Sequence, residues 1–340
     1  MSNWQLIGNS RALNALTSAV SSGSPARSYI FAGPERVGKA AAALRLAQAL
    51  NCAGGDPPCL ACETCRRIGE AKFADVQTVT VEAATDGPAH KAIAVEQMRD
   101  VEATVALAPY EGRKRVVIVD PAEEMSTGAQ NAFLKTLEEP PPHVVFVLVS
   151  ANADRLLETV RSRCRRVEFG LVPTTEIEAG LIKRGTDAEQ AAVLARLAAG
   201  RPGWALEAAA TPALLTKRDE ALDAARSLAV MDLADRIDAA AKLSDAFKKD
   251  RANVDETLAQ WLGWWRDVVL TQSGAGDAIA NLDRREQIEA DAQHHDRAQV
   301  TAFVAALRET RQHLRANVQS RIALDALMLR VPSGRGVTAG

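Results

Sequence analysis

Long apolar runs are missing from this chain. No stretch of its 340 residues stays hydrophobic for the roughly 18–20 positions that a membrane-crossing helix requires. The opening Met1-Ser2-Asn3-Trp4 has neither the basic start nor the apolar core of a secretory leader. The chain is therefore expected in the cytoplasm, without a membrane partner. Net charge is scarce too: 41 Lys and Arg against 43 Asp and Glu leave −2. No global basic field draws such a chain onto DNA, so nucleic-acid contact must be local or made through a larger assembly. Aromatics are only 4% of residues, and cysteines number five. What is present in quantity is alanine, within a composition 47% hydrophobic and 25% charged. That balance suits a helix-rich globular protein, long enough for two or three domains.

The stretch around which the rest is organised is Tyr29-Ile30-Phe31-Ala32-Gly33-Pro34-Glu35-Arg36-Val37-Gly38-Lys39-Ala40. An apolar β-type run enters a Gly-rich turn, and the helix-forming segment Ala41 to Leu50 follows at once. Gly33, Gly38 and Lys39 meet the phosphate-loop spacing G-x-x-x-x-G-K-[ST] up to its last position. Glycines there let successive N–H groups curl around a phosphate at a helix N-terminus, and Lys39 adds a point charge. Ala40 departs from the pattern, because it has no hydroxyl to hold Mg²⁺. The plainer alternative is a strand–turn–helix with an incidental Gly-Lys.

Strand-like and helix-like segments alternate over residues 1–170, which predicts an α/β domain with a parallel sheet covered on both faces. Further strands are expected at Val76–Val81, Arg115–Val119, Val144–Val149 and Arg166–Phe169, and helices at 4–22, 93–108 and 126–138. After Pro173 only helices are expected, at 174–185, 187–199, 203–211, 213–230, 232–248, 252–273 and 297–331. Residues 274–296 read as polar linker, with no role for His294-His295, and the chain from Pro332 onward as frayed. Trp261, Trp264 and Trp265 share one helix face, a core stripe that can also anchor a subunit interface.

Four of the five cysteines fall in Cys52-x6-Cys59-x2-Cys62-x2-Cys65. In a cytoplasmic chain this clustering points to metal rather than disulfides. Four thiolates close a tetrahedral shell around Zn²⁺ and leave no open position. An iron–sulfur cluster shares the C-x2-C-x2-C run, but its x3-Cys-Pro continuation is absent. Four unligated thiols are the remaining alternative. Cys164, the fifth, reads as a small apolar packing residue.

Asp120 ends a buried strand, where phosphate-loop ATPases hold Mg²⁺ through water, although a turn cap is as good a reading. Pro121 stands where active enzymes carry a water-positioning glutamate, and Glu123 and Glu124 are displaced from that position. Further on, Thr159-Val160-Arg161-Ser162-Arg163-Cys164-Arg165-Arg166 precedes the last strand.

Together these features resemble the clamp-loader subunits of the AAA+ family over nearly the whole chain. The resemblance rests on Ile7-Gly8, the phosphate loop, the four-cysteine insertion, Leu134-Lys135-Thr136-Leu137-Glu138-Glu139-Pro140-Pro141 and Ser162-Arg163-Cys164. It implies an AAA+ domain with a zinc insertion over 1–170, a small helical lid over 171–212, a helical collar over 213–331 and a disordered tail over 332–340. Motor members of the family carry Lys-Ser/Thr, an Asp-Glu pair and a sensing arginine in Gly-x-x-Arg-Asp-Ala-Leu. Here Lys39-Ala40, Asp120-Pro121 and Gly203 stand in those places. The losses fall on hydrolysis, while the arginine that serves a neighbour is kept. The resemblance therefore implies a DNA-replication subunit with no ATPase activity of its own, and with a degenerate site where ATP binding is still possible. Arg163 would act in trans on ATP held by an adjoining motor subunit. The implied partners are the motor subunits and a delta subunit in a hetero-pentamer, and through them the sliding clamp and primed DNA. The alternative is a motor-type, gamma/tau-like ATPase in which Glu123 supplies the missing acid.

Overall fold

A computed structural model describes residues 4–81, 92–211, 213–315 and 318–334. The chain divides into two compact units. The first runs through Gly180 and takes in Gly200–Trp204, and the second holds Leu181–Ala199 and continues from Ala205.

The first unit is built on a five-stranded, all-parallel sheet in the order β2-β3-β4-β1-β5. Its strands are β1 (Ser28–Ala32), β2 (Val76–Val79), β3 (Arg115–Val119), β4 (Val144–Ser150) and β5 (Arg165–Glu168). The central three are buried at every position. This is why their sequences are continuous apolar runs rather than alternating ones. Successive side chains still point to opposite faces. Tyr29, Phe31 and Val147 join one core with Leu16 of α1 (Ser10–Ser21), Leu46 of α2 (Lys39–Asn51) and Ile68 of α3 (Glu63–Gly69). Ile30, Phe146 and Leu148 face the other way, onto Met98 and Val101 of α4 (Val95–Val105) and Phe133 of α5 (Thr127–Glu138). Phe133 and Phe146 meet edge to face, with ring centroids 4.9 Å apart. The short α6 (Glu158–Arg161) leads into β5.

The helix expected over 4–22 starts only at Ser10. Gly8 and Asn9 have left-handed backbones, and the Asn9 amide bridges Val37 O at 3.2 Å and Gly170 N at 2.8 Å. Ile7-Gly8 is thus a turn pinned to the domain.

From Thr174 onward the described residues hold helices and no strand, with one isolated bridge between His295 and Gly334. They are α7 (Thr174–Ile182), α8 (Ala188–Leu197), α9 (Pro202–Ala210), α10 (Ala213–Val230), α11 (Leu233–Lys249) and α12 (Arg251–Gln272). They continue with α13 (Arg285–His294), α14 (Arg297–Arg315) and α15 (Ser320–Met328). Aspartates at 187, 232 and 250 cap α8, α11 and α12, each accepting a first-turn N–H. The core of the second unit gathers Trp261, Trp264, Trp265, Phe303, Leu307 and Leu324.

Two expectations need correction here. The span 274–296 is not all linker, because α13 lies within it. Its only large apolar anchor is the fully buried Ile288, and Asp291 accepts from Trp264 Nε1 at 3.0 Å and from Arg226. His295 is buried beneath Trp265 at 5.2 Å between ring centroids. The single helix expected over 297–331 is two helices, α14 and α15. Of the tail, residues 335–340 lie outside the described residues.

Candidate functional site: a degenerate phosphate loop and an outward arginine

The phosphate loop leaves β1 at Gly33 and enters α2 at Lys39. Gly33 has φ +144°, and a Cβ there would lie 1.9 Å from the Phe169 carbonyl oxygen. Only glycine lets the loop pass this close to the chain leaving β5. Gly38, at φ +101°, caps α2 with open space around it. Lys39 is 6% exposed. Its ammonium is turned back onto the loop, donating to the carbonyls of Gly33 at 2.7 Å and Pro34 at 2.5 Å. Burial lowers its pKa, against the pull of Glu123, Asp120 and Glu35.

Asp120 follows β3, and burial raises its pKa while Lys39 opposes the rise. Glu123 is buried as well, with Oε1 accepting from Ala151 N at 2.8 Å. It is tied to the chain leaving β4 rather than lying free at the loop. Gly203 donates its N–H to the Arg36 carbonyl at 2.8 Å, and a Cβ at 203 would stand 2.8 Å from that oxygen. Position 203 therefore has no room for a side chain. The structure brings Gly33, Gly38, Lys39 and Asp120 together, with the lysine engaged internally and Ala40 offering no hydroxyl.

The four cysteines converge. Cys52 ends α2, Cys62 caps α3, and the four sulfur atoms lie within 4.8 Å of one another. Backbone N–H groups point at them, from Gly54 and Cys59 to Cys52 Sγ, from Cys62 to Cys59 Sγ and from Cys65 to Cys62 Sγ, at 3.3–3.4 Å. Such donors favour thiolates. The Cys62 N–H leads in bringing Cys59 down to about 6, while burial pushes Cys52 and Cys65 up. These four residues could hold a metal ion. Cys164 packs half-buried against the α4–α5 core, and burial pushes its thiol up to about 12.

Arg163 follows α6 and precedes β5. Its Nη1 donates to the Thr159 carbonyl at 2.8 Å, and its Nη2 pairs with the carboxylate of Glu138, the last residue of α5. Sequence reading passed over that partner, because 25 residues separate the pair. Arg163 does not approach its own phosphate loop. In the parallel pairing of β1 with β5, Tyr29 sits level with Arg165 and Ala32 with Glu168. Arg163 lies before this register and Gly33 after it, at opposite ends of the paired strands. The paired strands alone separate them by about 10 Å, beyond the reach of an arginine side chain.

A parallel sheet of this order with a phosphate loop after β1 defines an AAA+ P-loop domain. The profile of the family described as "DNA polymerase III, delta subunit" matches residues 8–172. The chain is 27% identical to the DNA polymerase III subunit delta' of Bacillus subtilis, over 95% of its own length and 96% of that protein's. It is also 27% identical to the subunit gamma/tau of Mycobacterium tuberculosis, spanning 96% of itself but only 60% of that longer relative. Among solved structures, a gamma subunit-related protein from Thermotoga maritima is similar with a TM-score of 0.47 and 19% identity, covering 94% of this chain and 97% of that one. Over nearly its whole length the chain is similar to clamp-loader subunits of DNA polymerase III.

Proposed function

We propose that this chain is a delta-prime-type subunit of a bacterial clamp loader, which does not split ATP itself and donates Arg163 to ATP bound on a neighbouring motor subunit. The observation that carries the reading is the placement of Arg163 at the opposite end of the paired strands from its own phosphate loop, where only another chain's nucleotide can be reached. A guanidinium delivered there stabilises charge on the transferring phosphoryl group, and its planar fork meets phosphate oxygens pairwise where an ammonium cannot. The neighbour's ATP and Mg²⁺ supply the reaction, and this chain supplies one preorganised cation. Its own loop is quenched by the inward Lys39, by Ala40 and by the absence of space at Gly203. ATP binding without turnover at Gly33, Gly38, Lys39 and Asp120 remains part of the proposal.

Within this reading the chain works in the cytoplasm as one member of a hetero-pentamer with motor subunits and a delta subunit, and helps place the sliding clamp on primed DNA. Residues 1–170 form the AAA+ domain, 171–212 the lid and 213–331 the collar. The four cysteines hold a structural zinc ion. Tetrahedral Zn–S bonds place sulfurs about 3.8 Å apart, close to the 4.0 Å between Cys59 and Cys65. An iron–sulfur cube would spread the sulfurs more widely. The deciding experiment is ATP hydrolysis by the purified chain and by the reconstituted loader, each with Arg163→Ala and Lys39→Ala. The reading expects an inactive isolated chain and a loader impaired by Arg163→Ala. Brisk Mg²⁺-dependent hydrolysis by the isolated chain, lost in Lys39→Ala, would favour the motor-type alternative.

A further inference from the structure

At the end of the sheet where β1 and β5 begin, beside Arg163, lies an open groove of about 520 Å³. Arg27, Arg163 and Arg165 line it, with Ser28 and Pro140 between them. Arg27 is anchored there by donating to the Pro140 carbonyl at 3.1 Å. Ser28 is 5% exposed, and its hydroxyl finds no hydrogen-bond partner among the described residues. The groove therefore offers three cations and one unused donor. Glu138 is its one lining carboxylate, and that carboxylate is already on Arg163.

We propose that Glu138 is a positioning residue whose carboxylate occupies the place on Arg163 that a neighbour's phosphate oxygen takes when the subunits assemble. The inference rests on the trans-arginine reading and deepens it. Arg163 is held at two points: Nη1 on the Thr159 carbonyl fixes one arm of the fork, and Nη2 on Glu138 fixes the other. Exchanging Glu138 for phosphate leaves the first contact in place, so the guanidinium meets the nucleotide already ordered. The exchange is easy, because both partners are partly in water, with side chains 32% and 51% exposed, and such pairs are weak. A phosphate chain carries more charge than one carboxylate and accepts from the fork bidentately, so it wins the competition.

The test uses four reconstituted loaders, carrying wild-type chain, Glu138→Gln, Arg163→Ala and the double variant. Glu138→Gln keeps an acceptor but removes the competing charge. It should lower the ATP concentration for half-maximal DNA-stimulated hydrolysis by about 3- to 5-fold, equivalent to no more than about 1 kcal/mol. It should also raise hydrolysis in the absence of DNA. On the Arg163→Ala background the same substitution should change neither quantity. An unchanged ATP dependence in Glu138→Gln, or an equal shift in both backgrounds, overturns the proposal and leaves the trans-arginine reading standing. Loss of assembly in Glu138→Gln, followed by size exclusion, would also overturn it by showing a structural role. A silent Arg163→Ala would overturn both readings together.

Discussion

Arg163 and Gly203 carry opposite expectations for substitution. Arg163→Ala removes one guanidinium from a partly exposed position, so assembly should survive. Hydrolysis at the adjoining nucleotide should fall by about 10³-fold, the low end of what an arginine supplied in trans contributes. Single-turnover ATPase of the loader reads this directly. Gly203 should be intolerant for the opposite reason: an added methyl meets the Arg36 carbonyl at 2.8 Å. Gly203→Ala is expected to cost about 1–3 kcal/mol, measurable by urea unfolding. For the same reason, placing an arginine there cannot rebuild the motor subunits' sensor without displacing the phosphate loop. The sequence showed Ala40, Pro121 and Gly203 departing from the motor-subunit pattern. It could not show that Lys39 folds inward or that Glu138 holds Arg163, since both depend on chain segments meeting in space.

Among the elements, the loop before β3 is held by a buried ion pair. Asp75 is fully buried and bonds to Arg115 at 3.0 Å, while the N–H groups of Tyr110, Glu111 and Gly112 donate to it at 2.8 Å. Burial alone would raise its pKa, but these donors together hold it below the usual carboxylate value. A carboxyl depressed by folding contributes stability that is complete above its unfolded pKa and fades as pH falls through its folded one. Asp75→Asn should therefore cost about 3 kcal/mol at pH 7. The gap from wild type should narrow below about pH 4, where even the unfolded carboxyl is protonated. Thermal melts across pH 2–7 would show the convergence. The buried strands β3 and β4 were legible as unbroken apolar runs, because both of their faces are covered. The helix α13 was not, because it reaches the core through Ile288 and a hydrogen-bonded Asp291, a polar pattern that reads as loop. In the cysteine module, one zinc per chain and a colourless protein are expected, and Cys62→Ser or a strong chelator should lower the melting temperature of the first unit. Visible absorbance with iron in the preparation would refute zinc.

For the whole molecule, the two units have separate cores, so a lesion in one should leave the other folded. Phe146→Ala empties the contact with Phe133 and should remove about 3–5 kcal/mol from the first unit. The unfolding curve should then split, with a second transition belonging to the helices around Trp264 and Trp265, which their fluorescence would follow. The change from strands to helices was visible in the sequence pattern after Pro173. The return of Gly200–Trp204 to the first unit was not, because it comes from within a helical stretch.

The sheet ends at β5, whose residues Arg165, Arg166 and Glu168 are exposed, with only Val167 turned inward. An uncovered strand rim is an invitation for a stray chain to add itself by main-chain bonding, and charged side chains crowding the rim discourage it. Arg166 and Glu168 pair along that margin, so it is crowded without being strongly of one sign. An open sheet margin thus carries its own guard against the chain polymerising with itself.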